Sequence, residues 1–269
     1  MLIKRLEKNE KFSHNQSALK KKLQNREVSI GSWLTIPHQA VIEILSTAGF
    51  EWLTIDMEHS PISIETIMNL IGHIQGNNMQ ALVRVSKNEE VPIKRVLDAG
   101  ADGVIVPMIR NKEEAIQAVN YVKYPPKGKR GVGLNRAQKY GTAFNTYQKW
   151  LEHEVVVIAQ IEHIDAVNNL EDIFSVEGID GIIVGPYDLS ASMGYPGEYD
   201  RDDVNAALKR VYEIAKKLKK PLGFHIIDSG YEKTLEKINE GYSFIAFSLD
   251  FFFLGDMARQ QMKLLKSKI

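Results

Sequence analysis

The sequence predicts an α/β fold, a single (β/α)8 barrel of the TIM type, and three observations carry that reading. Eight short β-branched runs recur along the chain, amphipathic stretches of helical period separate them, and the ionisable residues gather at one end of the runs. A doubly wound open sheet is the alternative that the same alternation allows.

The runs, in order, are VSIGSWL (28–34), WLTIDM (52–57), QALVRV (80–85), GVIVPM (103–108), VVVIAQIE (155–162), GIIVGP (181–186), PLGFHII (221–227) and SFIAFSL (243–249). Each is four to eight residues long and rich in Val, Ile and aromatic side chains, as buried parallel strands are. Helices are predicted between them at 38–49, 63–76, 92–101, 111–122, 165–178, 202–220 and 231–241. Several close on Gly, the residue that ends helices most readily because it enters the left-handed region freely. No Pro/Gly/Ser-rich linker divides the chain, so residues 21–269 are read as one domain preceded by a charged segment, 1–20.

In this fold the chemistry sits at the C-terminal strand ends. Those ends carry Asp56, Glu58 and His59 after the second strand, Arg84 after the third and Gln160 and Glu162 after the fifth. Asp188 follows the sixth, His225 and Asp228 lie around the seventh, and Asp250 follows the eighth. The residues that lead the strands at the other end, Val28, Trp52, Gln80, Gly103, Val155, Gly181, Pro221 and Ser243, include no ionisable group.

Composition excludes several classes. Lys+Arg and Asp+Glu are both 34, so no net charge draws the chain to nucleic acid or an anionic membrane. The basic runs at 19–26 and 216–220 read as solvated helix faces. Cysteine is absent, which removes disulfides, thiolate nucleophiles and Cys-ligated zinc. No apolar run approaches the roughly 20 residues of a membrane span, and residues 1–16 lack the apolar centre of a secretory signal. A cytoplasmic protein is expected.

Adjacent parallel strands lie about 4.8 Å apart, so Glu162 and Asp188 on neighbouring strand ends can share one cation. Oxygen ligands select Mg²⁺, Mn²⁺ or Co²⁺, with Zn²⁺ also possible. The same two acids could instead cap the helices that follow them.

The segments TIDMEHSP (54–61), LVRV (82–85), LDAGADGVIVPMI (97–109), KRGVG (129–133), AQIE (159–162) and GPYDLSASMG (185–194) resemble, in order and spacing, the metal-dependent class II pyruvate aldolases of the HpcH/HpaI family. These are relatives of 2,4-dihydroxyhept-2-ene-1,7-dioate aldolase in the phosphoenolpyruvate/pyruvate barrel superfamily. The resemblance spans about residues 17 to 258. It implies a carbon–carbon lyase that reversibly cleaves a 4-hydroxy-2-oxo acid to pyruvate and an aldehyde through a metal-bound pyruvate enolate.

Carried across, Glu162 and Asp188 match the metal carboxylates and Arg84 the arginine at the keto oxygen. His59 matches the acid/base histidine, with Asp56 orienting it. Asp98 matches an acid that reaches a neighbouring subunit's site. Gln160, Gly185, Pro186, Tyr187 and Asp188 match the pyruvate carboxylate pocket. The resemblance also implies a homo-oligomer, a hexamer built as a dimer of trimers with C-terminal helices exchanged between subunits. The three successive phenylalanines Phe251, Phe252 and Phe253 suit such burial.

The chain departs from the family pattern at Tyr187, at Lys87, in the short loop GVGLNRAQKYG (131–141), at His225 and in SLDFFFLG (248–255). Asn135, Arg136 and Tyr140 of that loop are candidates to bind a polar or anionic aldehyde. Three alternatives stand beside the aldolase: a Schiff-base enzyme using Lys87, an acyl-CoA ester lyase like the citrate lyase β subunit, and a barrel that binds a 2-oxo acid without turnover.

Overall fold

The structure is a computed structural model and describes residues 18–269. Eight strands, β1 (Ser29–Leu34), β2 (Trp52–Asp56), β3 (Gln80–Arg84), β4 (Gly103–Val106), β5 (Val156–Ile161), β6 (Gly181–Val184), β7 (Leu222–Ile226) and β8 (Phe244–Leu249), pair in parallel in chain order. β8 returns to β1, so the sheet is a closed barrel and the open-sheet alternative falls.

Strand periodicity divides the apolar residues into two cores. Alternate side chains point inward, and Trp33, Trp52, Leu82, Ile105, Ile158, Ile183 and Phe244 fill the barrel. The others pack outward under the helices, among them Leu53, Val83, Val104 and Ile182. Trp52 stacks on Phe244 with ring centroids 4.4 Å apart. Gly31 makes room for that indole, since a Cβ there would stand 2.0 Å from the ring.

Local signals set the helices. Ser63 caps the helix Ile64–Gly76 by accepting from the Thr66 amide, and Asn111 caps Lys112–Val122 through the Glu114 amide. Gly241, at φ +109°, closes Tyr231–Glu240 in the left-handed conformation that other residues resist. The crossover from β4 to β5 carries a helix absent from the sequence prediction, Phe144–His153. Its Tyr147, Trp150 and Leu151 are buried at helical spacing.

The helix Ala18–Asn25 corrects one expectation. Leu19 and Leu23 join the interior core and close the N-terminal end of the barrel. Lys20 is buried rather than solvated, its Nζ donating to the Val155 carbonyl at 2.9 Å and lying 2.5 Å from Asp180. Three lysines in a row looked like a polar face, but an eight-residue helix against a barrel must turn one of them inward. The expected boundary after residue 20 falls within this helix, and the rest of the 1–20 segment lies outside the described residues. The run at 216–220 has exposed lysines at 216, 217 and 219, as expected. Among the described residues, no helix is long and apolar enough to cross a membrane.

Candidate active site

The C-terminal strand ends build a polar mouth from the residue positions that point inward. On β2 and β3, Asp56 and Arg84 are register partners and both buried. The Arg84 Nε and Nη2 donate to the two Asp56 oxygens at 2.9 and 2.7 Å, a bidentate pair that holds one edge of the guanidinium. Its remaining nitrogen, Nη1, lies 3.3 Å from Glu58 Oε2. Beneath it is the Trp33 ring, 5.4 Å from the guanidinium carbon.

Across the barrel, Glu162 follows β5. Its Oε1 accepts from the Met108 amide at 2.7 Å, and its Oε2 accepts from Gln160 Nε2. Met108 presents that amide from a left-handed backbone, φ +55°, an uncommon conformation for a residue with a side chain. Gly185 lies alongside, where a Cβ would come within 3.1 Å of Glu162 Oε2. Asp188 follows in the first turn of the helix Pro186–Ser192 and is exposed. Pro186 has no N–H, so Tyr187 and Asp188 provide the first amides of that helix.

The mouth holds more negative charge than its protein partners neutralise. Burial pushes Glu162 up to about 7; hydrogen bonds from Met108 and Gln160 pull it back, and the charges of Glu58 and Asp188 add to the rise. Burial likewise pushes Glu58 up to about 7 against the pull of Arg84, with Asp56 and Asp188 adding to it. Glu58 Oε2 and Gln160 Oε1 are buried without a hydrogen-bond partner.

Such a surplus suits a divalent cation. Among the described residues, no three His, Cys, Asp or Glu side chains converge into a complete metal cage. Two carboxylates with water and substrate oxygens completing the shell is the arrangement that Mg²⁺ and its analogues favour. The donors present fit a hard cation between Glu162 and Asp188, and the space kept open by Gly185 adjoins Glu162.

Several predicted residues take other places. Asp56 gives both oxygens to Arg84 and touches His59 only through the backbone amide, at 3.3 Å. The carboxylate nearest the His59 ring is Glu58, 3.7 Å from Nε2, so Asp56 does not orient that imidazole here. The ring itself is largely exposed at the rim.

Asp98 and Arg136 are not brought to the mouth of their own barrel. Asp98 ends the helix Glu90–Asp98, where Arg130 Nη2 donates to it at 2.5 Å. Arg136 donates to the Ala99 carbonyl at 3.1 Å and to Gln75 Oε1 at 2.8 Å, so contact with substrate in its own barrel is not what this geometry gives. The reason is topological: this loop leads from a helix into β5 and so lies toward the strand starts. Asp250 is a structural anchor, accepting from the Thr35 and Ile36 amides at 2.8 and 2.7 Å. Asp228 pairs with Lys233 on the surface.

Glu58 was not among the residues singled out for a role, although Asp-x-Glu-His at 56–59 offered the signal: three polar side chains at one strand end. The Met108 amide left no trace in the sequence, because a backbone donor has no residue type.

Comparison with known proteins places the chain in a family and matches its fold. The HpcH/HpaI aldolase/citrate lyase family model matches residues 29–254. A pyruvate aldolase from Rhizobium etli is 38% identical over 237 residues, 88% of this chain and 92% of the relative. A 4-hydroxy-2-oxo-heptane-1,7-dioate aldolase from Escherichia coli is 36% identical over 237 residues, 87% of this chain and 89% of the relative. The crystal structure of an HpcH/HpaI aldolase/citrate lyase family protein from Burkholderia cenocepacia superposes with a TM-score of 0.88 at 31% identity, covering 93% of this chain and 99% of that one.

Proposed function

Since the chain belongs to the HpcH/HpaI aldolase/citrate lyase family, we propose that its mouth reversibly cleaves a 4-hydroxy-2-oxo acid to pyruvate and an aldehyde, with one divalent cation held by Glu162 and Asp188. One feature supports this above the others: a buried guanidinium, gripped along one edge by Asp56, lies among a surplus of carboxylates. That juxtaposition suits a substrate whose keto oxygen gains negative charge during reaction.

When bound, the cation supplies Lewis acidity at the 2-oxo group. Arg84 directs its N–H groups at the keto oxygen. His59 takes the proton of the 4-hydroxyl as the C3–C4 bond breaks. The bonding pair moves into C2–C3 to give the enolate of pyruvate, and the former hydroxyl carbon leaves as the aldehyde. Return of a proton to C3 completes pyruvate. Gln160 and the amides of Tyr187 and Asp188 hold the substrate carboxylate. Glu58, beside both Arg84 and His59, links the two catalytic groups.

The working unit is a homo-oligomer, a hexamer arranged as a dimer of trimers, in a cytoplasmic setting. The C-terminal helix Asp250–Lys266 supports this: of its three phenylalanines Phe252 and Phe253 pack on their own barrel, contrary to expectation, but Phe251, Leu254, Met257, Met262, Leu264 and Leu265 are all exposed in one protomer. Exchange of this helix with a neighbour would cover them. In that assembly Asp98 would complete a neighbour's site.

Incubating pyruvate with a panel of aldehydes and each of Mg²⁺, Mn²⁺, Co²⁺ and Zn²⁺, with products identified by mass, tests the reaction directly. A 4-hydroxy-2-oxo acid that forms with metal and disappears with EDTA is the expected result. Product formation insensitive to EDTA but trapped by borohydride would instead favour a Schiff base.

A further inference from the structure

Among the described residues, Glu58 Oε2, Gln160 Oε1 and the Nε2 of His225 are buried around the mouth without a hydrogen-bond partner, as is the Trp33 Nε1 beneath Arg84. The first two belong to the site already described. The third lies on β7, and neither metal binding nor proton transfer calls on it.

His225 faces the barrel interior. Gly223, two residues earlier on the same strand, would direct a Cβ to within 2.7 Å of the interior ring of Phe244, and side chains two apart share a face. His225 is therefore one layer nearer the mouth. There its ring stacks on Trp33, centroids 4.7 Å apart and planes inclined 27°. Trp33 in turn underlies the Arg84 guanidinium. The Ser248 backbone lies beside the imidazole, and Ser248 is itself in the left-handed region, φ +55°. Near it the β1–β8 pairing shifts register between Gly31 and Trp33. A bulge and a strained residue at one place are devices that re-aim side chains.

The ring is also electrically suited to its place. Burial, and then the charge of Arg84, push His225 down to about 4, so it stays neutral and does not repel the guanidinium.

We propose that His225 and Trp33 are positioning residues, a stack that supports one face of Arg84 while Asp56 grips its edge, so that the guanidinium meets the enolate oxygen rather than the ground-state substrate. This inference rests on the aldolase reading. Without the stack Arg84 keeps its ion pair with Asp56 but is free to tilt about it. A tilt harms binding of the charged transition state more than binding of pyruvate.

Oxalate, a stable planar mimic of the enolate of pyruvate, separates the two cases. Its affinity and that of pyruvate are measured by calorimetry with Mg²⁺ present, in wild type, His225→Leu and His225→Phe. The expected result is a loss of about tenfold or more in oxalate affinity in His225→Leu, with pyruvate affinity within about twofold. His225→Phe restores oxalate binding because it keeps a stacking ring. Trp33→Phe provides an independent variant with a smaller ring and an intermediate loss. Equal losses for both ligands, or no loss for either, would overturn the positioning role. Failure of wild type to bind either ligand would overturn the aldolase reading itself, and the inference with it.

Discussion

Glu51, Asp102 and Asp180 at the N-terminal end of the barrel, and Glu58, Glu162 and Asp188 at the C-terminal end, are all acidic side chains beside strand termini. The first three each stand one residue before an even-numbered strand and accept an amide from the preceding odd-numbered one. Glu51 takes Ile30 at 3.1 Å, Asp102 takes Ala81 at 2.8 Å and Asp180 takes Val157 at 2.8 Å. Each also has a side-chain partner: Lys22 for Glu51, Gln75 for Asp102 and Lys20 for Asp180. At the mouth Arg84 is shared between Asp56 and Glu58, and Glu58 Oε2 has no hydrogen bond. Buried charge by itself therefore does not mark a site. What marks it is an excess of carboxylates, Asp56, Glu58, Glu162 and Asp188, around one buried cation, Arg84.

The largest effects are expected at the carboxylates proposed to hold the cation. Glu162→Gln and Asp188→Asn should each lower kcat/KM for aldol cleavage by roughly 10³-fold or more while circular dichroism stays that of the folded barrel. Next come the organic groups of the mouth. Arg84→Ala should slow both aldol cleavage and oxaloacetate decarboxylation by roughly 10²–10³-fold, since both pass through an enolate. His59→Ala should slow cleavage by a similar factor but spare decarboxylation, which has no hydroxyl proton to remove. Equal losses in the two reactions for His59→Ala would make it a substrate-binding residue instead.

At the opposite end the effects should appear in stability and not in rate. Lys20→Met leaves Asp180 buried without its cation and should cost on the order of 3 kcal/mol in urea unfolding, with kcat/KM within about twofold of wild type. The smallest effect concerns pH. Burial pushes Asp102 up to about 6, against the pull of the Ala81 amide, Gln75 and Arg136. Its unfolded value is near 3.9, so the folded chain keeps a proton that the unfolded chain releases. That contribution is fully present below about pH 4 and is lost as pH rises through about 6. Stability relative to Asp102→Asn should therefore fall by about 2–3 kcal/mol across that window, measured by paired denaturant titrations.

Much of this was legible in the sequence, for physical reasons. All eight strands were visible because both faces of a closed parallel barrel are buried, which leaves continuous β-branched runs. Glu162, Asp188, Arg84 and His59 were visible because strand ends in a barrel converge on one mouth. The acids at the other end escaped notice because they stand one residue before their strands, as with Asp102 before Gly103. The inward turn of Lys20 depends on how a short helix docks, which no local pattern encodes. The distance of Arg136 from the mouth depends on which side of the barrel its loop runs, and the Met108 amide on a single left-handed residue.

Titration calorimetry of Mg²⁺ or Mn²⁺ into wild type, Glu162→Gln and Asp188→Asn, in the absence of substrate, tests the shared cation most directly. If the two carboxylates hold one ion, wild type binds a single equivalent per chain and each variant loses that binding while remaining folded. Unchanged affinity in both variants would contradict the assignment.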